Sequence, residues 1–463
     1  MSVITKKAAH AVLARLTGAG ADYAEVFAEE ARSRSIRLID KQIERASSGI
    51  DWGAGVRAIY GIRQVYAYSS DTSEKALMMA ADAVAQAGKE AKEVPALKTK
   101  SSKLRSPHVF LVSSEDVEAK ERIGILLGMD AAARAVSEQI SQVDAAIQEG
   151  TADVAVANSA GVWAEEHRVY SRLYITSIAQ KGAEKEWGFR GPGALAGFEF
   201  IRSLDTPGLA RESAESALRA VNSGYAPAGE MPVVVGNGFG GVIFHEACGH
   251  ALETTSVAKK ASVFTDKIGQ PIACPCLTAI DDGTMPGLWG SSVFDDEGTP
   301  TQRTVLIENG ILKAFMVDRL GAIKTGYPLS GSGRRESYRY APTSRMRNTY
   351  IEKGDAKVSD ILASVDYGLY AQRMGGGSVD PSTGRFNFSV AEGFMIRGGK
   401  VAECVRGATL IGSGPEVLKR ITRVADDLEH TAGVCGSISG GVPTTVGQPT
   451  ILVDRLTVGG RSQ

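Results

Sequence analysis

The chain has 463 residues, 43% of them apolar and 23% charged, with a formal net charge of -1. That length fills two or three packed domains, and so balanced a charge gives no electrostatic drive toward nucleic acid or acidic lipid. Five cysteines are too sparse for a disulfide framework and point to a reducing compartment, and no apolar run approaches the roughly 18 residues of a membrane span. The expectation is a cytoplasmic protein with no nucleic-acid and no membrane partner.

The N-terminal stretch "MSVITKKAAHAVLARLTGAG" sets lysines between short apolar pairs, so it reads as an amphipathic helix and not as a signal peptide. Helical spacing covers about Thr5 to Leu16 and about Ser73 to Ala91, the second behind the capping candidates Asp71 and Thr72. Between them, "DYAEVFAEE", "SIRLID" and "GVRAIYGIRQVYAYS" are β-like runs, with a turn signal at Tyr60-Gly61. A long helix is expected across Ser114 to Ser141, then strands through "ADVAVANSAGVWAEEHRVYSRLYITSIAQ", then a helix at about Gly208 to Asn222. "SGYAPAGEMP", Ser223 to Pro232, has neither periodicity and carries the expected boundary between domains of residues 1–225 and 226–463.

Beyond it glycine becomes frequent, and runs such as "RTVLIENGILKAFMVD" and "GRFNFSVAEGFMIRGGKV" turn at Asn-Gly and Gly-Gly. The expected class is α+β: an N-terminal α/β domain followed by a mostly antiparallel, barrel-like C-terminal domain carrying a metal-binding helix.

That helix lies in "VVVGNGFGGVIFHEACGHALE", residues 233–253, which offers two kinds of chemistry. Gly236, Gly238 and Gly241 have the spacing of a dinucleotide-binding loop, but no hydrophobic strand follows the helix and Glu253 comes too early for the ribose carboxylate. Close strand-to-helix packing explains these glycines better. His245, Glu246 and His250 form H-E-x-x-x-H. Histidines five apart on a regular helix are rotated about 140° from each other, too far to share an ion. A π-bulge at Gly249 would restore a common face. The bland alternative is two structural histidines, and a third ligand would decide between the readings. Cys248 should face away. Cys274 and Cys276, in "IACPCLTAI", are a plausible soft-metal pair, although buried cysteines are commoner. Cys404 reads as strand packing. Cys435, in "HTAGVCGSISGGVP", has no core to fill, and His430 stands five residues before it.

"HEACGHALE", "DDEGTPTQRTVLIENGIL", "GSGRRESY", "RGATLIGSG", "GVCG" and "VGQPTILVDRLTVGG" together resemble the TldD/PmbA family of cytoplasmic metalloproteases, specifically its catalytic TldD branch. "GADYAEVFAEE" and "GIDWGAGVRAIYG" extend the resemblance more weakly into the first half. It implies a peptidase with one Zn2+ per chain, His245, His250 and Cys435 as ligands, and Glu246 as general base. The PmbA-like branch usually lacks H-E-x-x-x-H, so its retention assigns the chain to the active branch; the alternative is a non-catalytic, metal-bound partner subunit. The resemblance also implies a homodimer, or a heterodimer with a PmbA-like paralogue, enclosing the site so that only short or unfolded polypeptides enter. His430, Arg334, Arg335 and Tyr338 are the candidates for binding the developing oxyanion. The acidic strings at Asp281-Asp282 and Asp295-Asp296-Glu297 read as turn residues.

Overall fold

The computed structural model describes residues 3–86, 88, 100–101, 106–380 and 382–460. Helix Lys6–Gly18 starts where Thr5 Oγ1 accepts the Ala8 N–H at 3.2 Å, and buries Ala8, Ala9, Val12, Leu13 and Leu16 along one stripe. Helix Glu74–Ala85 is capped by Ser73, not by the expected Asp71 or Thr72: the Asp71 carboxylate instead takes the Ser73 N–H at 2.8 Å. Residues 87 and 89–91 of its expected span lie outside the described residues. The long helix expected across residues 114–141 is three elements. A 3-10 turn at Ser114–Asp116 and helix Ala119–Arg134 are followed by strand Ile140–Asn158. Ser137 Oγ accepts the Gln139 N–H at 3.2 Å, and this local turn competes with continuation of the helix.

Strands Arg63–Ser69, Gln42–Tyr60, Tyr23–Ile39, Ile140–Asn158, Val162–Lys181 and Glu184–Arg190 pair antiparallel in that order. Several are 17 to 20 residues long, so two sets of helices share one face. Helices Lys6–Gly18 and Glu74–Ala85 cover one part, over Ala24, Val26 and Ala28. Ala119–Arg134 and Thr206–Val221 cover the other, over Leu38, Ile147 and Ile175.

The opposite face is buried against residues from the second half. Side chains alternate along a strand, so Tyr23, Glu25, Phe27 and Glu29 point away from the helices. Phe27, Val154, Val156 and Ala164 pack on Phe294 and Tyr338. Around this patch runs an ionic network: Arg57 bridges Glu25 and Glu297, Arg335 binds Glu25 and the Asp296 carbonyl, and Arg168 joins Glu166 to Asp296. The acidic strings are therefore more than turns. Asp295 does build a turn, accepting from Glu297 N and Thr299 N. Asp296 and Glu297, however, are buried ion partners, and Asp281 is buried beneath the Arg347 N–H and the Thr349 hydroxyl.

In the second half, strands Tyr367–Asp380, Gly229–Val235, Ile451–Gly459, Thr409–Ser413 and Arg385–Arg397 pair in sequence, and the last pairs back to the first. This closes a five-stranded barrel with one parallel pair. A six-stranded sheet lies beside it and ends in Asn348–Ile351, Gly440–Gln448 and Glu429–Ser437, the last two forming a hairpin. A continuous core joins barrel, sheet and helix Val242–Ala247.

The interface between the halves makes stability depend on pH. Glu29 is buried on Tyr338 N at 2.7 Å, and burial, opposed by that bond and reinforced by Asp296, pushes its carboxyl up to about 7. Its folded pKa exceeds its unfolded value, so between the two the native state holds the extra proton and stability falls as pH rises. Glu29→Gln should match the wild type in denaturant titrations at pH 4.5 and exceed it by roughly 2–3 kcal/mol at pH 8. A difference that does not change with pH would show that Glu29 is not the titrating group.

Candidate metal centre

Strand Gly229–Val235 delivers the chain through Gly236 into a 3-10 turn, Gly238–Gly241, and then into helix Val242–Ala247. The glycines permit close packing. A Cβ on Gly236 would overlap the Gln372 carbonyl, and one on Gly241 would lie 2.8 Å from N, C and O of Gly447. The helix thereby enters directly against strand Gly440–Gln448, one arm of the hairpin that carries Cys435.

The five-residue histidine spacing is resolved by a break and not by a π-bulge. The helix stops at Ala247, Cys248 leaves helical geometry at φ -131° and ψ -49°, and a 3-10 turn covers Gly249–Leu252. Gly249 sits against the Met346 thioether where a Cβ would overlap Sδ, so the break is packed in place by a distant segment. Its consequence is that the His245 and His250 rings come together, edge to face, with centroids 5.0 Å apart.

Cys435 completes the group. Its Sγ lies 3.2 Å from His245 Nε2 and 3.4 Å from His250 Nε2, and the donor atoms of the three residues all lie within 4.8 Å of one another. Burial raises the Cys435 thiol, but His245 and then His250 outweigh it and hold the group well below the usual thiol range. Two imidazoles and a thiolate form a donor set suited to a borderline-soft transition ion. Glu246 stands at the rim, partly exposed, with Oε2 3.7 Å from His250 Nε2. On the other side of the ring, His250 Nδ1 meets the buried carboxylate of Glu253 at 3.2 Å.

The remaining cysteines stand apart from this group. Cys248 is buried in the core, and that burial raises its thiol well above the usual range, in the direction of inertness. Cys404 lies on strand Lys400–Arg406, and Cys274 and Cys276 share a separate turn. The oxyanion candidates are committed elsewhere. Arg334 donates to the Met346 and Pro443 carbonyls, Arg335 to Glu25 and Asp296, and Tyr338 to Asp51. His430 is an odd number of residues from Cys435 on the same strand, hence on its opposite face, with its ring against Tyr350. There it lines a cleft of about 1400 Å³ together with Phe239 and Arg373.

Two residues were missed in the sequence. Glu253 is three residues after His250, a helical spacing that could have revealed it. Arg345 had no local signal: its guanidinium donates to the Cys435 carbonyl, to the Gly440 carbonyl and to Ser439 Oγ, clamping both arms of the hairpin.

With this geometry in view, the comparisons with known proteins are specific. The PmbA/TldA metallopeptidase C-terminal domain matches residues 228–460, the central domain residues 113–221 and domain 1 residues 24–87. A "Metalloprotease TldD homolog" from Haemophilus influenzae is 37% identical over 95% of this chain and 93% of its own length. A "Metalloprotease" from Methanothermobacter thermautotrophicus is 30% identical over 95% and 96%. The fold is shared with TldE from Thermococcus kodakarensis, at a TM-score of 0.77 and 20% identity over 96% of this chain and 99% of that one. The chain is a metallopeptidase by class, and it belongs to the PmbA/TldD family.

The carboxylate behind His250 generates a prediction. Glu253→Gln keeps the shape and removes the charge that orients the ring and strengthens its Nε2 as a donor. Such substitutions typically cost about 10–100-fold in metal affinity. Competition titration with a chelator should show a loss in that range, and unchanged affinity would make Glu253 merely a packing residue.

Proposed function

We propose that the protein is a zinc peptidase of the cytoplasm, with His245, His250 and Cys435 as the ligands and Glu246 as the general base. The observation that carries this reading is the convergence of three donor atoms from two separate segments on one point, with a partly exposed carboxylate beside it. Mixed imidazole and thiolate sets are established for zinc, and three protein ligands leave one position for chemistry. A relative from Saccharolobus solfataricus, 33% identical over half of this chain, carries the name "Zinc metalloprotease TldD homolog". The five cysteines, all free, suit a reducing compartment, and none of the described helices is long and apolar enough to cross a membrane.

When bound, zinc would supply Lewis acidity, bringing the pKa of water near neutrality. The chain's own residues do the rest. Glu246 takes the proton of the attacking water and returns it to the leaving amine, since one carboxyl next to the reacting centre serves both half-steps. Glu253 fixes the His250 ring through Nδ1, and Arg345 fixes the height of Cys435 through its carbonyl. The substrate is a short or unfolded polypeptide, held through its backbone along a strand edge. The working assembly is a dimer, of this chain with itself or with a PmbA-like paralogue; the fold shared with TldE is compatible with either.

The roles separate by measurement. Glu246→Gln should abolish hydrolysis of an unfolded peptide, a fall of at least about 10²-fold, while retaining stoichiometric zinc. Cys435→Ala should lose the zinc. Loss of metal in the first variant, or full retention in the second, would reverse the assigned roles. A small disulfide-closed protein should be cut only after reduction, and equal rates for its folded and unfolded forms would rule out an enclosed site.

A further inference from the structure

The Cys-Pro-Cys stretch has no part in the donor group, yet its geometry is specialised. Cys274 to Leu277 form a reverse turn, closed by the Leu277 N–H on the Cys274 carbonyl at 3.1 Å, with Pro275 at the position whose φ it fixes. In such a turn alternate Cα atoms stand roughly 5–6 Å apart, inside the range that a disulfide spans. The turn is anchored by the Cys274 N–H on the Leu418 carbonyl at 2.9 Å.

The two thiols differ in surroundings. Cys274 is buried in the core, while Cys276 is exposed and lines a surface pocket of about 610 Å³ with Asp355, Thr422 and Arg423. Cys276 Sγ also lies 3.7 Å from the Ile421 carbonyl, a weak contact that its thiol form makes and its thiolate gives up. The contact with Cys274 lowers the Cys276 thiol, and the same contact, with burial, raises Cys274. This is the arrangement of an attacking and a resolving thiol.

We propose that Cys274 and Cys276 form a thiol–disulfide exchange site whose substrate is a small disulfide entering the Cys276 pocket. The Cys276 thiolate attacks one sulfur of the disulfide, forming a mixed disulfide and expelling the first thiolate. Cys274 then loses its proton and attacks Cys276 Sγ, closing the Cys274–Cys276 bond and expelling the second thiolate. Two protein thiols are oxidised and one disulfide is reduced to two thiols, so electrons and protons balance without another reactant. The small ring of the product makes the bond strained and therefore readily reversed by a dithiol.

The test uses the full-length, zinc-loaded protein and glutathione disulfide, with each cysteine followed by alkylation and peptide mass. In the wild type, the peptide holding residues 274–276 should lose two hydrogens and both alkylation sites, and dithiothreitol should restore them. Cys274→Ser should arrest the reaction as a glutathione adduct on Cys276, whereas Cys276→Ser should leave Cys274 free. Iodoacetamide at neutral pH should label Cys276 roughly tenfold or more faster than Cys274. Two alkylatable thiols in the wild-type peptide under excess disulfide would overturn the proposal, and so would an adduct forming equally fast on Cys274. The wild-type measurement requires no variant to fold, and because it reads only this peptide it is independent of zinc binding and hydrolysis.

Discussion

The contact between Gly241 and Gly447 sets the distance on which the donor group depends. At 2.8 Å from where a Cβ would stand, the Gly447 backbone leaves no room for any side chain at 241. Helix and hairpin can therefore approach more closely than ordinary helix-on-sheet packing allows. Three atoms that must come within hydrogen-bonding range are carried by two segments with no sequence proximity. Imidazole and thiolate side chains are short, and an extra layer of methyl groups between helix and hairpin would put Cys435 Sγ out of reach of both Nε2 atoms. The glycine spacing that imitates a phosphate loop is thus a requirement of the second half of the same motif.

A second constraint acts on the hairpin. Arg345 spends its guanidinium on the Cys435 and Gly440 carbonyls and on Ser439, and Arg334 binds the Met346 and Pro443 carbonyls. Met346 in turn fills the space beside Gly249. The segment 334–346 therefore holds the hairpin from both of its ends and, through Met346, the helix break as well. Its neighbour Arg335 points the other way, into Glu25 of the N-terminal sheet. Buried ion pairs of this kind are weak sources of net stability, because desolvation offsets most of the attraction. What they impose is register: with Arg57 between Glu25 and Glu297, a one-residue slip would leave a charge unpaired in the core.

Much of this was legible in the sequence where the signal is local. The periodicity of residues 5–16 and the turns of the second half follow from short-range physics, and the structure bears out the α+β class with its C-terminal barrel. The misreadings have one local cause and two tertiary ones. The apolar spacing of residues 114–141 fits both a helix and the alternate burial at the start of strand Ile140–Asn158, and a Ser137 turn decided between them. The histidine spacing announced a distorted helix, but whether it would widen or break depended on Met346. "DDEGT" has the composition of a surface turn; what buries it is Arg57 and Arg168 from the other half of the chain, which no window around residue 296 contains.

A single hairpin arm serves two environments along its length. Cys435 faces the helix, while residues 429–434 of the same arm line the cleft of about 1400 Å³. Next to Leu288 of the cleft lining, Trp289 donates its indole N–H to the Gly433 carbonyl at 2.9 Å, and Arg172 lies over the Trp289 ring. The arm is thus held at Gly433 by Trp289 and at Cys435 itself by Arg345, so the residue that carries the thiol is fixed within two positions on one side and directly on the other.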